Sequence, residues 1–232
     1  MVREICQQLH ELFNGLPRCR FPFAELAIPR NGVYVLFEKG EYAHGLDRIV
    51  RVGTHRGDNQ LLSRLKQHFV NENKDRSIFR KNIGRAMLRR ENDPFLEQWN
   101  WDLTTRRARE KYGPLLDERK QHQVERAVTA YIQANFSFVV CRVDEKEERL
   151  EWERKIISTV SWCQECRPSS TWLGLHSPKK KIRESGLWLV NELYKDGLSW
   201  SELEKLRAIV QANTGFSGRS ARSLPLSHTS PI

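Results

Sequence analysis

Residues 31–53 read NGVYVLFEKGEYAHGLDRIVRVG, and this stretch decides the fold class. After the turn pair Asn31-Gly32 come five strand-forming residues, Val33 to Phe37. A second apolar run, RIVRV over 48–52, ends at Gly53. The segment between them is rich in charge and turn formers. It predicts an antiparallel hairpin whose loop is longer than the tight two-residue type. Tyr34 lies within the first strand and points to the face opposite Val33, Val35 and Phe37.

Working outward, Ile5, Leu9, Leu12 and Phe13 are spaced as one helical face over 1–16, and Pro17, Pro22 and Pro29 punctuate an extended arm. Downstream, Leu61, Leu62, Leu65 and Phe69 mark a helix from about 59 to 70, and Val124, Val128 and Ile132 another from about 116 to 134. FSFVVCRV at 136–143 is a third strand, and a helix begins near Asp144. The expected fold class is α+β, a small three-stranded antiparallel sheet flanked by helices. Its strands fall near 33–38, 48–53 and 136–143. The expected layout is an N-terminal helix and arm over 1–30, a main domain over 31–175 with a helical insertion at 71–135, a C-terminal helical extension at 176–214 and a loose tail at 215–232.

The 232 residues carry 39 Lys and Arg against 29 Asp and Glu, a net charge of +10. That excess favours a polyanion partner, most often nucleic acid. Within 74–90, seven cations stand against Asp75 alone. No apolar run approaches the ~18 residues of a membrane span, and the charged N-terminus does not read as a signal peptide. Five cysteines, an odd number at irregular spacing, argue against a disulfide scaffold and for a reducing, cytoplasmic setting.

Three positions depart from a plain structural pattern. Arg64 and His68 are four apart and share a helix face beside Leu61 and Leu65. Glu153 has Leu150, Ile156, Ile157 and Val160 as its helical neighbours, so the periodicity expects a buried apolar residue and finds a carboxylate. Such a group needs an arginine, a donor network or a metal.

Four blocks then resemble, in order and spacing, the motifs of the GIY-YIG nuclease family. They are Gly32-Val33-Tyr34, Arg51-Val52-Gly53, Leu61-Leu62-Ser63-Arg64-Leu65 with His68, and Glu153-Arg154-Lys155-Ile156-Ile157. The stretch WLGLHSP…IRESGLW is similar to segments of bacterial and phage-type members. The resemblance implies a metal-dependent DNA endonuclease, with Glu153 holding Mg2+ or Mn2+ and Arg64 contacting phosphate. It leaves Tyr34, His55 and His68 as candidate proton acceptors. The second block departs from the family, because Arg51 stands where a tyrosine is usual. That departure supports an alternative, a catalytically impaired nucleic-acid-binding module. Arg80, Lys81, Arg85, Arg89 and Arg90 of the basic run are the expected DNA contacts, with pairing of two protomers on DNA as one arrangement.

Other motifs carry less. Cys163 and Cys166 form a lone C-x-x-C, and the spacing of Cys141 and His176 from it matches no usual zinc pattern, so no zinc site is expected. Trp152, Trp162, Trp172, Trp188 and Trp200 predict a second small core that packs the C-terminal part onto the domain. No phosphate-binding glycine loop or dinucleotide fingerprint is present.

Overall fold

A computed structural model describes residues 2–217. The helices are α1 Val2–Asn14, α2 Leu61–Phe69, α3 Ile78–Arg90, α4 Leu96–Asn100, α5 Arg106–Tyr112, α6 Glu118–Asn135, α7 Lys146–Trp162, α8 Lys180–Ser185 and α9 Trp200–Ser217. The strands are β1 Cys19–Arg20, β2 Gly32–Ala43, β3 Leu46–Gly53 and β4 Phe136–Arg142. They form one antiparallel sheet in the order β1-β4-β2-β3. The three expected strands are present. The fourth is β1, two residues of the proline-punctuated arm that pair with Phe138 and Ser137. A pairing this short leaves no run of alternating residues to read. Among the described residues no helix is long and apolar enough to cross a membrane. The expected tail lies, beyond Ser217, outside the described residues.

The central strand β2 explains why VYVLF is apolar throughout rather than alternating. Val33, Val35 and Phe37 enter a core with α1, α7 and α9, while Tyr34 and Leu36 enter a second core with α2, α3 and α6. A sheet covered on both faces needs apolar residues on both. Residues 71–135 therefore do more than decorate the fold. They supply Phe79, Ile83, Trp99, Val128 and Ile132 to that second core.

The hairpin differs from the expected one. Ala43 pairs with Leu46, so the turn is only His44-Gly45, with φ of 54° and 75°. This is a tight turn with both central residues left-handed, the geometry that matches strand twist. The polar EKGEY segment belongs to the strand because its two acids are buried and satisfied. Glu41 accepts from Arg48 and Ser169. Glu38 accepts from Tyr131 and from the indole nitrogens of Trp172 and Trp188, at 2.7 and 2.8 Å for the two tryptophans. Burial raises the Glu38 carboxyl above the ordinary range, against the pull of these three donors.

Those bonds also correct the tryptophan expectation. Trp172 and Trp188 join the second core of the main sheet, Trp152 joins the first, and Trp162 and Trp200 are exposed. They do not build a separate small core. The Trp188 segment is further tied to the edge strand. Leu36 pairs with Arg51 and Phe37 with Ile49, so Val50 is the extra residue of a bulge. Its freed carbonyl accepts from the Trp188 amide at 2.8 Å.

Candidate active-site cleft

A cleft of about 680 Å3 opens beside the β3 edge, between α2 and α7. Its walls come from the end of β3 and the turn after it, from Ser63, Arg64 and Gln67 of α2, from Ile78 and Asn82 of α3, from Glu153, Arg154 and Ile157 of α7, and from residues 189–192. The Trp188 tether sets that last wall in place.

Glu153 projects from α7 into this cleft and is half-buried, not sunk in the core. Leu150, one of the neighbours that implied full burial, is itself 36% exposed. Desolvation raises the Glu153 carboxyl above the usual range. Arg51, the Thr54 backbone amide and Arg64 partly offset this, and Glu192 adds to it. Among the described residues Glu153 has no ion-pair partner within 4.0 Å, so the arginines act on it through space. Thr54 is held in turn by its hydroxyl, which donates to the Gly32 carbonyl at 2.7 Å.

Arg51 is 5% exposed and lies on the cleft wall. Its Nη1 donates to the Trp188 carbonyl, its guanidinium sits 5.1 Å from the Phe79 ring centroid, and its Nε is buried without a partner. Arg64 donates to Gln67 and to the Arg76 carbonyl at 3.0 and 3.1 Å.

Tyr34 and His68 are together but do not line the cleft. Both are fully buried, with the Tyr34 hydroxyl 2.7 Å from His68 Nε2 and His68 Nδ1 2.7 Å from Ser77 Oγ. Ser77 caps α3 by accepting from the Arg80 amide. Burial, and then Arg64, Arg51 and Arg80, hold His68 well below the usual histidine range, so it is neutral. His55 is on the cleft wall, with both ring nitrogens engaged by main chain. Nδ1 donates to the Gly57 carbonyl at 2.6 Å, and Nε2 accepts from the Gly32 amide at 3.3 Å.

The basic run is placed otherwise than its charge suggested. Arg80 is fully buried in α3, donating to Glu125, Thr129 and the His68 carbonyl. Lys81 donates to Asp75 and to the Trp101 carbonyl, and Arg85 to Asn82 and Asn100. These three bind the chain to itself. Arg89 and Arg90 are exposed, and even there they bond the Ser177 carbonyl and Glu91. A count of charges cannot see Glu125, which lies 45 residues away from Arg80.

The cleft also holds Arg154 and, beyond the residues that the sequence singled out, Thr54, Arg56, Asn82, Asn191 and Glu192. Arg154 was legible as the neighbour of Glu153. Glu192 was not, because it reaches the cleft through an irregular segment in which it and Tyr194 have φ of 62° and 58°.

A family model for the GIY-YIG domain matches residues 4–215, nearly the whole chain. No curated protein and no solved structure matches it.

Proposed function

The chain belongs to the GIY-YIG domain family, and from that premise we propose that its cleft hydrolyses DNA phosphodiester bonds as a Mg2+-dependent endonuclease. Membership implies nuclease chemistry. The observation that carries the finer reading is Glu153, a desolvated carboxylate in one cleft with Arg51, Arg64 and the Thr54 amide.

The donor set suits a hard cation. Glu153, with Glu192 near it, offers carboxylate oxygens and no soft ligand, and Mg2+ keeps several waters when held by one or two carboxylates. Mn2+ accepts the same oxygen donors. When bound, the ion lowers the pKa of a coordinated water and neutralises phosphate charge. The chain's own residues do the rest. Arg64, held through Nη1 by Gln67 and the Arg76 carbonyl, can present its remaining N–H groups to phosphate oxygens. Arg51 is committed through Nη1 to Trp188 and supplies positive field where its family relatives would place a phenol. His55 has no free nitrogen, and the Tyr34–His68 pair, the other candidate proton acceptor, is buried and does not itself line the cleft. Its phenol is shielded from solvent and held by a neutral imidazole.

The test uses supercoiled plasmid with Mg2+, with EDTA, and with Glu153→Gln protein. The reading expects nicking or linearisation that EDTA abolishes and that the variant loses by at least about 100-fold, with gel-shift affinity retained. Stability of the variant should hold or rise without metal, since an amide is cheaper to bury than a charge. Plasmid shifted but uncut by the wild type would favour the impaired binding module. A variant that cuts at the wild-type rate would remove Glu153 from the mechanism.

A further inference from the structure

Four metal-binding side chains meet at the first core, of which three are members, and none of them lines the cleft. Cys6 comes from α1, His44 from the β2–β3 turn, Cys163 from the C-terminal cap of α7, and Cys166 from the single 3-10 turn that follows. Their ligand atoms all lie within 4.8 Å of one another. Cys6 Sγ is 3.5 Å from Cys166 Sγ, and His44 Nε2 is 3.4 Å from Cys163 Sγ and 3.8 Å from Cys166 Sγ. Ligands at ~2.0–2.3 Å from one tetrahedral centre stand about 3.3–3.8 Å apart, so the three pair distances given fit a shared ion, and the remaining pairs lie within 4.8 Å.

We propose that Cys6, His44, Cys163 and Cys166 form a closed Cys3His site for a structural zinc ion. The lone C-x-x-C lacked a second pair in the sequence. The fold supplies it from residues 6 and 44, which no local spacing could announce, while Cys141 and His176 take no part. All four ligands come from protein and are buried at the side chain, the arrangement of a structural zinc site, not a catalytic one. Thiolate and imidazole ligands also select zinc over the hard ion suited to the cleft.

The surroundings agree. His44 Nδ1 lies 2.9 Å from Glu165 Oε2, at an angle poor for a hydrogen bond but facing a carboxylate, as a metal-bound histidine's second nitrogen commonly does. That leaves Nε2 directed at the thiols. His10, also adjacent, is not a ligand. Its Nδ1 donates to the Cys6 carbonyl at 2.9 Å and its Nε2 accepts from the Ile49 amide at 3.2 Å. The ion would staple α1, the hairpin tip and the end of α7 together. It thereby sets the helix of Glu153 against the strand of Arg51.

The test takes the full chain, purified under reducing conditions. Elemental analysis should give one zinc per chain, and thiol titration in denaturant with EDTA should give five reactive thiols. The double variant Cys163→Ser/Cys166→Ser should drop zinc at least tenfold, whereas Cys141→Ser and His176→Ala keep it. Should the double variant fail to fold, metal-stripped wild type titrated with Co2+ decides. Saturation at one equivalent, with tetrahedral ligand-field bands and thiolate charge transfer, supports the site. His44→Cys should keep the ion and raise the charge-transfer band by about one third. Three thiols, meaning a disulfide, overturn the proposal. So does the absence of stoichiometric metal in both forms, or zinc retained by the double variant. None of these readouts depends on nuclease activity.

Discussion

Arg51 donates through Nη1 to the main-chain carbonyl of Trp188, whose own amide bonds Val50 one residue back. The bulge at Val50 frees the carbonyl for the second of these bonds, and together the two clamp the C-terminal segment to the edge strand. The Trp188 indole adds a third tie through Glu38. The residue that departs from the family's second motif thus does structural work at the border of the cleft.

Arg51→Met keeps the apolar stem and removes the charge. The buried Trp188 carbonyl then loses a charged donor, which costs about 1.5–3 kcal/mol of stability in urea unfolding. Arg51 also lowers the Glu153 carboxyl against the upward push of burial. Without it that carboxyl should rise further, and the acid limb of the pH–cleavage profile should move to higher pH. An acid limb that stays in place would show that Glu153 does not set it.

Tyr34 faces Gly53 across the β2–β3 ladder, and a Cβ on Gly53 would lie 2.2 Å from the phenol oxygen and 2.4 Å from Cζ. The glycine of the second motif is therefore steric room for the tyrosine of the first. Gly53→Ala should cost roughly 1–3 kcal/mol through overpacking, and Tyr34→Phe should not rescue it because Cζ remains. Tyr34→Phe alone should cost about 1 kcal/mol by leaving His68 Nε2 unbonded. If the pair accepts the proton, cleavage per folded molecule should fall by about 100-fold or more. Full activity in folded Tyr34→Phe would confine the phenol to a packing role.

Much of this was legible in the sequence, for reasons that can be named. Strand propensity placed β2, β3 and β4, and helical spacing placed α1, α2, α6 and α7. The order of short motifs gathered Arg51, Arg64 and Glu153 to one cleft. What the sequence hid was partnership at long range. Arg80 looks like a phosphate ligand until Glu125 is seen beside it, and Glu38 looks like a loop residue until two indoles reach it. Cys163 and Cys166 look incomplete until Cys6 and His44 arrive. Tight turns were hidden too, since His44-Gly45 lacks the usual Asn-Gly signature.

His68 gives the stability a pH dependence of known sign. Its folded pKa is depressed by burial and by the three arginines, whereas an unfolded histidine titrates near ~6.5. Between those values the unfolded chain holds a proton that the folded one does not. Stability is therefore full above about pH 6.5 and falls as pH drops, by up to about 1.4 kcal/mol per unit for one such proton. His55, also depressed, acts in the same sense, while Glu38 and Glu153, raised by burial, act in the opposite one. The clean comparison is wild type against His68→Gln in urea at pH 7 and pH 5. The gap in stability between them should narrow at pH 5, and parallel curves would show that His68 does not titrate there.

Buried cations and cleft cations should answer salt differently when the protein binds DNA. Arg56, Arg64 and Arg154 line the cleft, Arg64 from α2 and Arg154 from α7, the helix that carries Glu153. Each phosphate neutralised contributes about 0.9 to the slope of log affinity against log salt. Replacing any one of the three by Gln should lower that slope by up to about 1 and weaken binding for every DNA sequence alike. Arg80→Gln should behave differently. It strands Glu125, which is 2% exposed, and should cost about 3–5 kcal/mol of stability. The pair can instead be neutralised together as Arg80→Met/Glu125→Gln, where the amide oxygen still accepts from the Lys74 backbone as Glu125 Oε1 does. That double variant should recover most of the stability and bind DNA with the wild-type salt slope. A slope reduced in the double variant to the extent seen for Arg64→Gln would mean that α3 opens on DNA and that its buried cations reach the phosphates after all.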